Sequence, residues 1–150
     1  MINSRKIEDL IVPAQARANA FLESCKVDPW LVGNGIAVLV TSTHRDNEAQ
    51  AELYAQGRTK PGTIVTNAKP GESWHNWRCA LDVVPLKFGK PVWGSTTDGD
   101  KEIWQTLGKL GKRAGLEWAG DWKGKIREMA HFQYTNGLTL AELQSGRVIA

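Results

Sequence analysis

A chain of 150 residues with 41% apolar content can bury one sizeable core, and its length argues for a single domain spanning residues 1–150. Nineteen Lys and Arg against sixteen Asp and Glu leave a formal charge of +3, which favours encounter with an anionic polymer without specifying which one. No stretch reaches the roughly 20 apolar residues of a membrane-spanning helix, so membrane insertion is not expected, and the N-terminal MINSRKIEDLIVPAQ lacks the uninterrupted apolar run of a secretory signal.

In chain order, Ile7, Leu10 and Ile11 predict a short helix that Pro13 kinks or restarts. Ala14, Ala18, Phe21, Leu22 and Cys25 then recur on one face of an amphipathic helix that packs on the core. Gly33-Asn34-Gly35 marks a turn, and the β-branched run at 36–40 predicts a buried strand. Residues 47–56 predict a helix ended by Gly57, and 60–70 a loop with a short extended piece at 64–66. Residues 79–84 predict a strand stopped by Pro85, with Ala80, Asp82 and Val84 on one face and Leu81 and Val83 on the other. A helical face runs through Ile103, Trp104, Leu107, Leu110 and Ala114, capped by Gly115. A strand is expected at 131–134, closed by an Asn136-Gly137 turn, and a last short helix at 138–144. Helices and strands are mixed without regular alternation, which is the pattern of an α+β domain. The two cysteines, Cys25 and Cys79, form no CxxC pair and read as buried free thiols, and most of the seven tryptophans as core.

Two of the three histidines sit in compact polar clusters near a carboxylate: Ser73-Trp74-His75 leading to Asp82, and Glu128-Met129-Ala130-His131. A catalytic zinc site takes three protein ligands and leaves a fourth position for water. His75, Asp82 and His131 fill that requirement, and Glu128 remains as a base. Seven residues of helix would separate His75 from Asp82 by about 10 Å and seven of strand by roughly 23 Å, whereas two ligands of one ion lie within about 4 Å of each other. The chain must therefore turn between them, at Asn76-Trp77-Arg78. Likewise Glu128 belongs in the approach turn and His131 at the strand start, on one face with Gln133. Taken singly, each residue has a plainer reading: a structural histidine, a hydrogen-bonded buried carboxylate, a surface cation at Arg45. The combination favours the metal, because a strand interior beside Leu81 and Val83 is a costly place for an unpaired carboxylate.

Ser73-x-His75 with Asp82, then Glu128-x-x-His131-Phe132, resembles the D-Ala-D-Ala metallopeptidase superfamily. Thr41-Ser42-x-x-Arg45, Glu48-x-Gln50, Leu53 through Thr59, Pro61-Gly62, Val65-Thr66, Ser73-x-His75-Asn76 and Trp118-Ala119-Gly120-Asp121-Trp122 resemble its L-alanyl-D-glutamate endopeptidase branch, which includes phage endolysins. The resemblance implies a small central antiparallel sheet flanked by helices, the D-Ala-D-Ala metallopeptidase-like (hedgehog/DD-peptidase) fold. It implies zinc on His75, Asp82 and His131, Glu128 as proton carrier and Arg45 on the oxyanion. Ser73 is expected near the ligands or the substrate, Trp74 and Trp77 to wall the groove or fill the core, and His44 to flank Arg45, with an alternative role as ligand. This chain departs from the branch at His44, Arg78 and Glu128, where Tyr, Gly and Asp are usual, and the departures bear on which bond is cut. The expected partner is bacterial peptidoglycan, the protein a monomer made in a host cytoplasm and acting on the wall after release. The rivals are a D-Ala-D-Ala carboxypeptidase, a non-catalytic zinc-stabilised wall-binding module, and a nucleic-acid binder using Lys109, Lys112, Arg113, Lys123, Lys125 and Arg127. Those cations are scattered and carry no recognition motif, so nucleic acid is not expected as a partner.

Overall fold

Pro13 lies in the first turn of helix α1 (Val12–Val27), where its missing N–H breaks no helical bond. The short apolar cluster before it forms a separate 3-10 turn, Ile7–Asp9. The computed structural model describes residues 1–123 and 128–150; Lys125 and Arg127, named above among the cations, lie outside them. Ala14, Ala18, Phe21 and Cys25 are the buried face of α1, as their spacing requires. A five-residue helix, α2 (Pro29–Gly33), follows without having been expected, although its start signal is plain: Asp28 accepts from Leu31 N at 2.9 Å, and Pro29 begins the turn.

Strand β1 (Ile36–Ser42) leads to α3 (Asn47–Ala55), which Asp46 caps by accepting from Ala49 N at 2.9 Å. The 60–70 loop forms no strand, and Ile64 and Val65 stay exposed. The remaining elements are β2 (Ala80–Lys87), β3 (Lys90–Pro91), α4 (Asp98–Arg113), β4 (Glu117–Trp118), β5 (His131–Gln133) and α5 (Leu140–Gln144). Gly115, just past α4, is left-handed at φ 94°, as its expected capping role demands. The last helix begins two residues later than expected, because Thr139 caps it by accepting from Glu142 N.

The sheet is antiparallel throughout, in the order β1-β2-β5-β4, with β3 pairing β2. This order corrects two expectations. β1 is not a buried strand but an edge: Ile36, Val38 and Val40 face the core, while Ala37 is exposed and Leu39 is 44% exposed. Nor does Pro85 stop β2, which runs on to Lys87. The carbonyl of Pro85 accepts from Val92 N, so its ring nitrogen faces that same side, away from β1, and the β1–β2 ladder runs past the proline unbroken.

Leu81, Val83 and Phe132 point from the sheet into a core with Phe21, Trp104 and Leu107 of the helices. A smaller cluster gathers Cys79, Leu143 and Ile149 with Trp74 and Trp77. Both cysteines are free and buried, and burial pushes each thiol up to about 12. Trp104 and Trp118 are core, Trp30, Trp74 and Trp77 pack against the clusters, and Trp93 is 62% exposed. Among the described residues no helix is long and apolar enough to cross a membrane.

Helix α4 approaches the sheet through two glycines. A Cβ at Gly108 would lie 2.4 Å from the Trp118 ring, and one at Gly111 would lie 2.5 Å from the Phe132 ring. Alanine inside a helix normally gains about 1 kcal/mol over glycine, but overpacking of this kind costs about 1–3 kcal/mol. Gly111→Ala is therefore expected to lower the thermal midpoint by several degrees; a scanning-calorimetry midpoint at or above wild type would show that the contact is not this tight.

Candidate metal centre

The segment before β2 is shaped to bury one imidazole. Ser73 Oγ accepts from His75 N at 3.3 Å, and Asn76 Oδ1 accepts from Ser73 N at 3.2 Å and from Gly71 N at 3.0 Å, closing the 3-10 turn Trp74–Trp77. Arg78 ends the turn in the left-handed conformation at φ 59°, so the reversal falls where the spacing placed it. His75, 4% exposed, then has Nδ1 2.7 Å from the carbonyl of Thr43. A carbonyl only accepts, so Nδ1 carries the proton and Nε2 presents a lone pair, 3.3 Å from Asp82 Oδ1.

β2 and β5 bring the other two groups. Asp82 and His131 are directly opposite in the register, so their side chains leave the same face of the sheet, away from Leu81 and Phe132. His131 Nδ1 lies 3.1 Å from Asp82 Oδ1, and its Nε2 lies 2.7 Å from Gln133 Oε1. The expected sharing of a face by His131 and Gln133 is thus realised as a hydrogen bond. The two imidazoles meet edge to face, with centroids 5.2 Å apart. One donor atom each from His75, Asp82 and His131 lie within 4.8 Å of one another, and among the described residues this is the group suited to a metal ion.

Burial would raise the Asp82 carboxyl, but its contacts with His131 and His75, and the positive charge either ring carries when protonated, hold it well below the usual carboxylate range. Burial would lower His131, and the Asp82 hydrogen bond and charge outweigh it, so that group is raised. Two imidazole nitrogens and one ionised carboxylate, with a cavity on the open side, fit the donor set of a three-ligand catalytic zinc site.

Glu128 stands beside the triad. It lies in the turn before β5, where its carbonyl accepts from His131 N at 3.2 Å, and its Oε2 is 3.8 Å from His131 Nδ1. With 53% of its side chain exposed on the cavity wall, it is free to move a proton. Arg45 reaches the same cavity, where its charge faces Asp82 and Glu128. Gln50, fully buried, accepts from Arg45 Nη1 at 3.0 Å and donates to Ala68 O at 2.8 Å, which fixes the guanidinium. Asn76 Nδ2 donates to Arg45 O at 2.9 Å, tying the arginine to the histidine turn.

The cavity has a volume of about 740 Å³ and includes Ser73 and Trp74 in its wall. Two residues proposed from sequence are not brought to it. Trp77 turns into the cluster of Cys79, Leu143 and Ile149 and donates from its indole to Gly71 O at 3.0 Å. The charges that act on His44 are those of Arg78, Asp46 and Asp9, and burial followed by the charge of Arg78 lowers its pKa. It flanks Arg45 in sequence and stands outside the metal group. Sequence reasoning also passed over Trp93, an exposed wall residue with no local signal, and gave no individual role to Trp122, whose ring lies 5.6 Å from His131. A second cavity of about 730 Å³, between α1 and the edge strand, has no histidine or carboxylate pair of this kind.

A family model described as D-alanyl-D-alanine carboxypeptidase matches residues 66–134. The peptidoglycan L-alanyl-D-glutamate endopeptidase CwlK of Bacillus subtilis is 34% identical over 131 residues, covering 85% of this chain and 78% of that one. The L-alanyl-D-glutamate peptidase of Listeria phage A118 is 35% identical over 111 residues, 73% of this chain and 34% of the longer phage protein. Among solved structures, the Serratia marcescens L-Ala D-Glu endopeptidase ChiX covers 91% of this chain and 86% of its own at a TM-score of 0.57 and 17% identity. The vancomycin-resistance D,D-pentapeptidase VanY, solved with Zn(II), covers 83% and 72% at a TM-score of 0.56 and 18% identity. Identities this low carry the fold alone, and it is the expected α+β fold; the Bacillus relative carries more. On that identity and coverage the chain belongs to the D-Ala-D-Ala metallopeptidases, in the branch of the L-alanyl-D-glutamate endopeptidases.

Proposed function

We propose that this chain is a zinc-dependent peptidoglycan endopeptidase that hydrolyses the L-Ala-D-Glu bond of the stem peptide, acting as a monomeric phage endolysin on the wall or periplasmic peptidoglycan after release from the cytoplasm. The observation that carries the reading is the convergence of His75, Asp82 and His131 on one cavity, with Glu128 beside them and Arg45 facing them. The names of the Bacillus and phage relatives support the bond and the phage setting.

Zinc held by His75 Nε2, Asp82 and His131 Nδ1 would polarise the scissile carbonyl and lower the pKa of the attacking water toward about 7. Glu128 takes the proton that the water gives up as the C–O bond forms, and delivers it to the departing amine as the C–N bond breaks. Arg45, its direction fixed by Gln50, supplies permanent positive charge for the oxygen that becomes negative. Ser73 and Trp74 line the trough in which the stem peptide lies. A D-Ala-D-Ala carboxypeptidase is the second reading, favoured by the description of the family model over residues 66–134. Glu128 weighs against a non-catalytic binding module, which has no use for a base at this position.

Purified peptidoglycan is expected to lose turbidity with the protein, to stop doing so after chelation, and to resume on adding zinc. Mass analysis of the products should show stem peptides beginning at D-Glu; release of terminal D-Ala alone would assign the carboxypeptidase reading, and unchanged muropeptides would refute both. Glu128→Gln should keep one zinc per chain and lose about 10²–10⁴-fold in kcat, and undiminished turnover would remove Glu128 from the mechanism. Arg45→Ala should lower kcat by about 10²–10³-fold, whereas a change confined to KM would make it a binding residue instead.

A further inference from the structure

His75 is oriented by a backbone carbonyl, an acceptor that cannot reverse its role. His131 is oriented by Gln133, whose amide can present either an oxygen or an NH₂ group to the ring. Something must decide which, because only one choice leaves Nδ1 free for a metal. We propose that Glu117, Gln133 and Thr135 form a hydrogen-bond chain of fixed polarity that keeps the proton of His131 on Nε2 and so holds Nδ1 toward Asp82 as a ligand. The proposal rests on the metal reading above.

The direction of the chain follows from its two ends. Gly137 N lies 3.3 Å from Thr135 Oγ1, and a backbone N–H can only donate. The Thr135 hydroxyl therefore accepts there and gives its own proton to Glu117 Oε2, at 2.8 Å. A carboxylate only accepts, so the group that Gln133 turns to Glu117, at 3.5 Å, is its NH₂. That leaves Gln133 Oε1 facing His131 Nε2 at 2.7 Å, and an oxygen there requires Nε2–H. In the neutral ring, the form that can bind a metal, Nδ1 is then the nitrogen without a proton, directed at Asp82.

The backbone places these groups without strain on the sheet. Glu117 and Gln133 are cross-strand partners in the β4–β5 register, and Asn136 and Gly137, at φ 49° and 80°, fold the chain back so that the Gly137 amide reaches Thr135. Gln133 and Thr135 are each 3% exposed, so reversing the amide would break bonds that water cannot replace. Glu117 itself is exposed, and its side chain can be changed without disturbing the core. The three are positioning residues: they touch neither substrate nor the reacting atoms.

The test uses the full chain, stripped of metal and titrated with zinc against a fluorescent chelator, with ¹⁵N-histidine NMR to read which nitrogen of His131 is protonated. Glu117→Gln still offers an oxygen to the Gln133 amide and should match wild type within about twofold. Glu117→Lys offers only donors, reverses the amide and moves the proton to Nδ1; zinc affinity should fall about 10–100-fold, the usual effect of losing an orienting partner. Zinc affinity and a His131 spectrum equal to wild type in Glu117→Lys would overturn the proposal. If circular dichroism shows that this variant does not fold, Gln133→Met decides the matter by the same two readouts, with weakened zinc binding expected and wild-type binding contradictory. Wild-type protein that takes up no zinc would overturn the metal reading and this inference with it, which separates the two failures.

Discussion

Asp82 keeps its charge in the middle strand of the sheet because two imidazoles meet its carboxylate there. Their meeting is non-local: His75 arrives from the turn before β2, held by the Thr43 carbonyl, and His131 from a strand 49 residues beyond Asp82. The register of β2 with β5 is therefore the decisive alignment, and the core sets it. Leu81, Val83 and Phe132 are fully buried on one face, so a slip of one residue would drive Asp82 and His131 into the core and expose three apolar side chains. The hydrophobic core and the polar site are two faces of one constraint.

Around the triad, the loop after β1 contributes twice. Thr43 fixes His75 through its carbonyl, and Arg45, two residues on, turns its charge to the same cavity. That loop is itself braced by the start of the chain: Thr43 N donates to Ser4 O, Ser4 N to His44 O, and Thr43 Oγ1 to Lys6 O. Gln50 and Asn76 complete the bracing from α3 and from the histidine turn. Side chains that look unremarkable in the sequence thus hold His75 and Arg45 in place.

The grouping of His75, Asp82 and His131 was legible because its chemistry is unusual for its surroundings. A carboxylate among Leu81, Val83 and Val84 calls for a partner, and the impossibility of spanning His75 to Asp82 without a turn placed the reversal at Asn76-Trp77-Arg78, where the left-handed Arg78 now ends it. The amphipathic faces of α1 and α4 were legible for the same reason that they pack: period and burial coincide. Less could be read where tertiary order decides. β1 has the composition of a buried strand, but sheet order puts it at the rim. Pro85 reads as a stop, yet its missing N–H faces away from β1, and the long β1–β2 ladder runs past it. Trp77 and His44 adjoin site residues in sequence and turn elsewhere, since successive positions in a tight turn point in different directions. Glycines 108 and 111 look like helix weaknesses until the rings of Trp118 and Phe132 are set against them.

The central claim is that one ion binds through His75 Nε2, the Asp82 carboxylate and His131 Nδ1, with the remaining position open to the cavity. Anomalous diffraction at the zinc edge from crystals of the zinc-loaded protein tests it most directly. A single peak among those three groups, about 2.0–2.2 Å from each donor atom, is the predicted result. A peak bound through His131 Nε2, one closed by a fourth protein ligand, or none at this site would contradict the account.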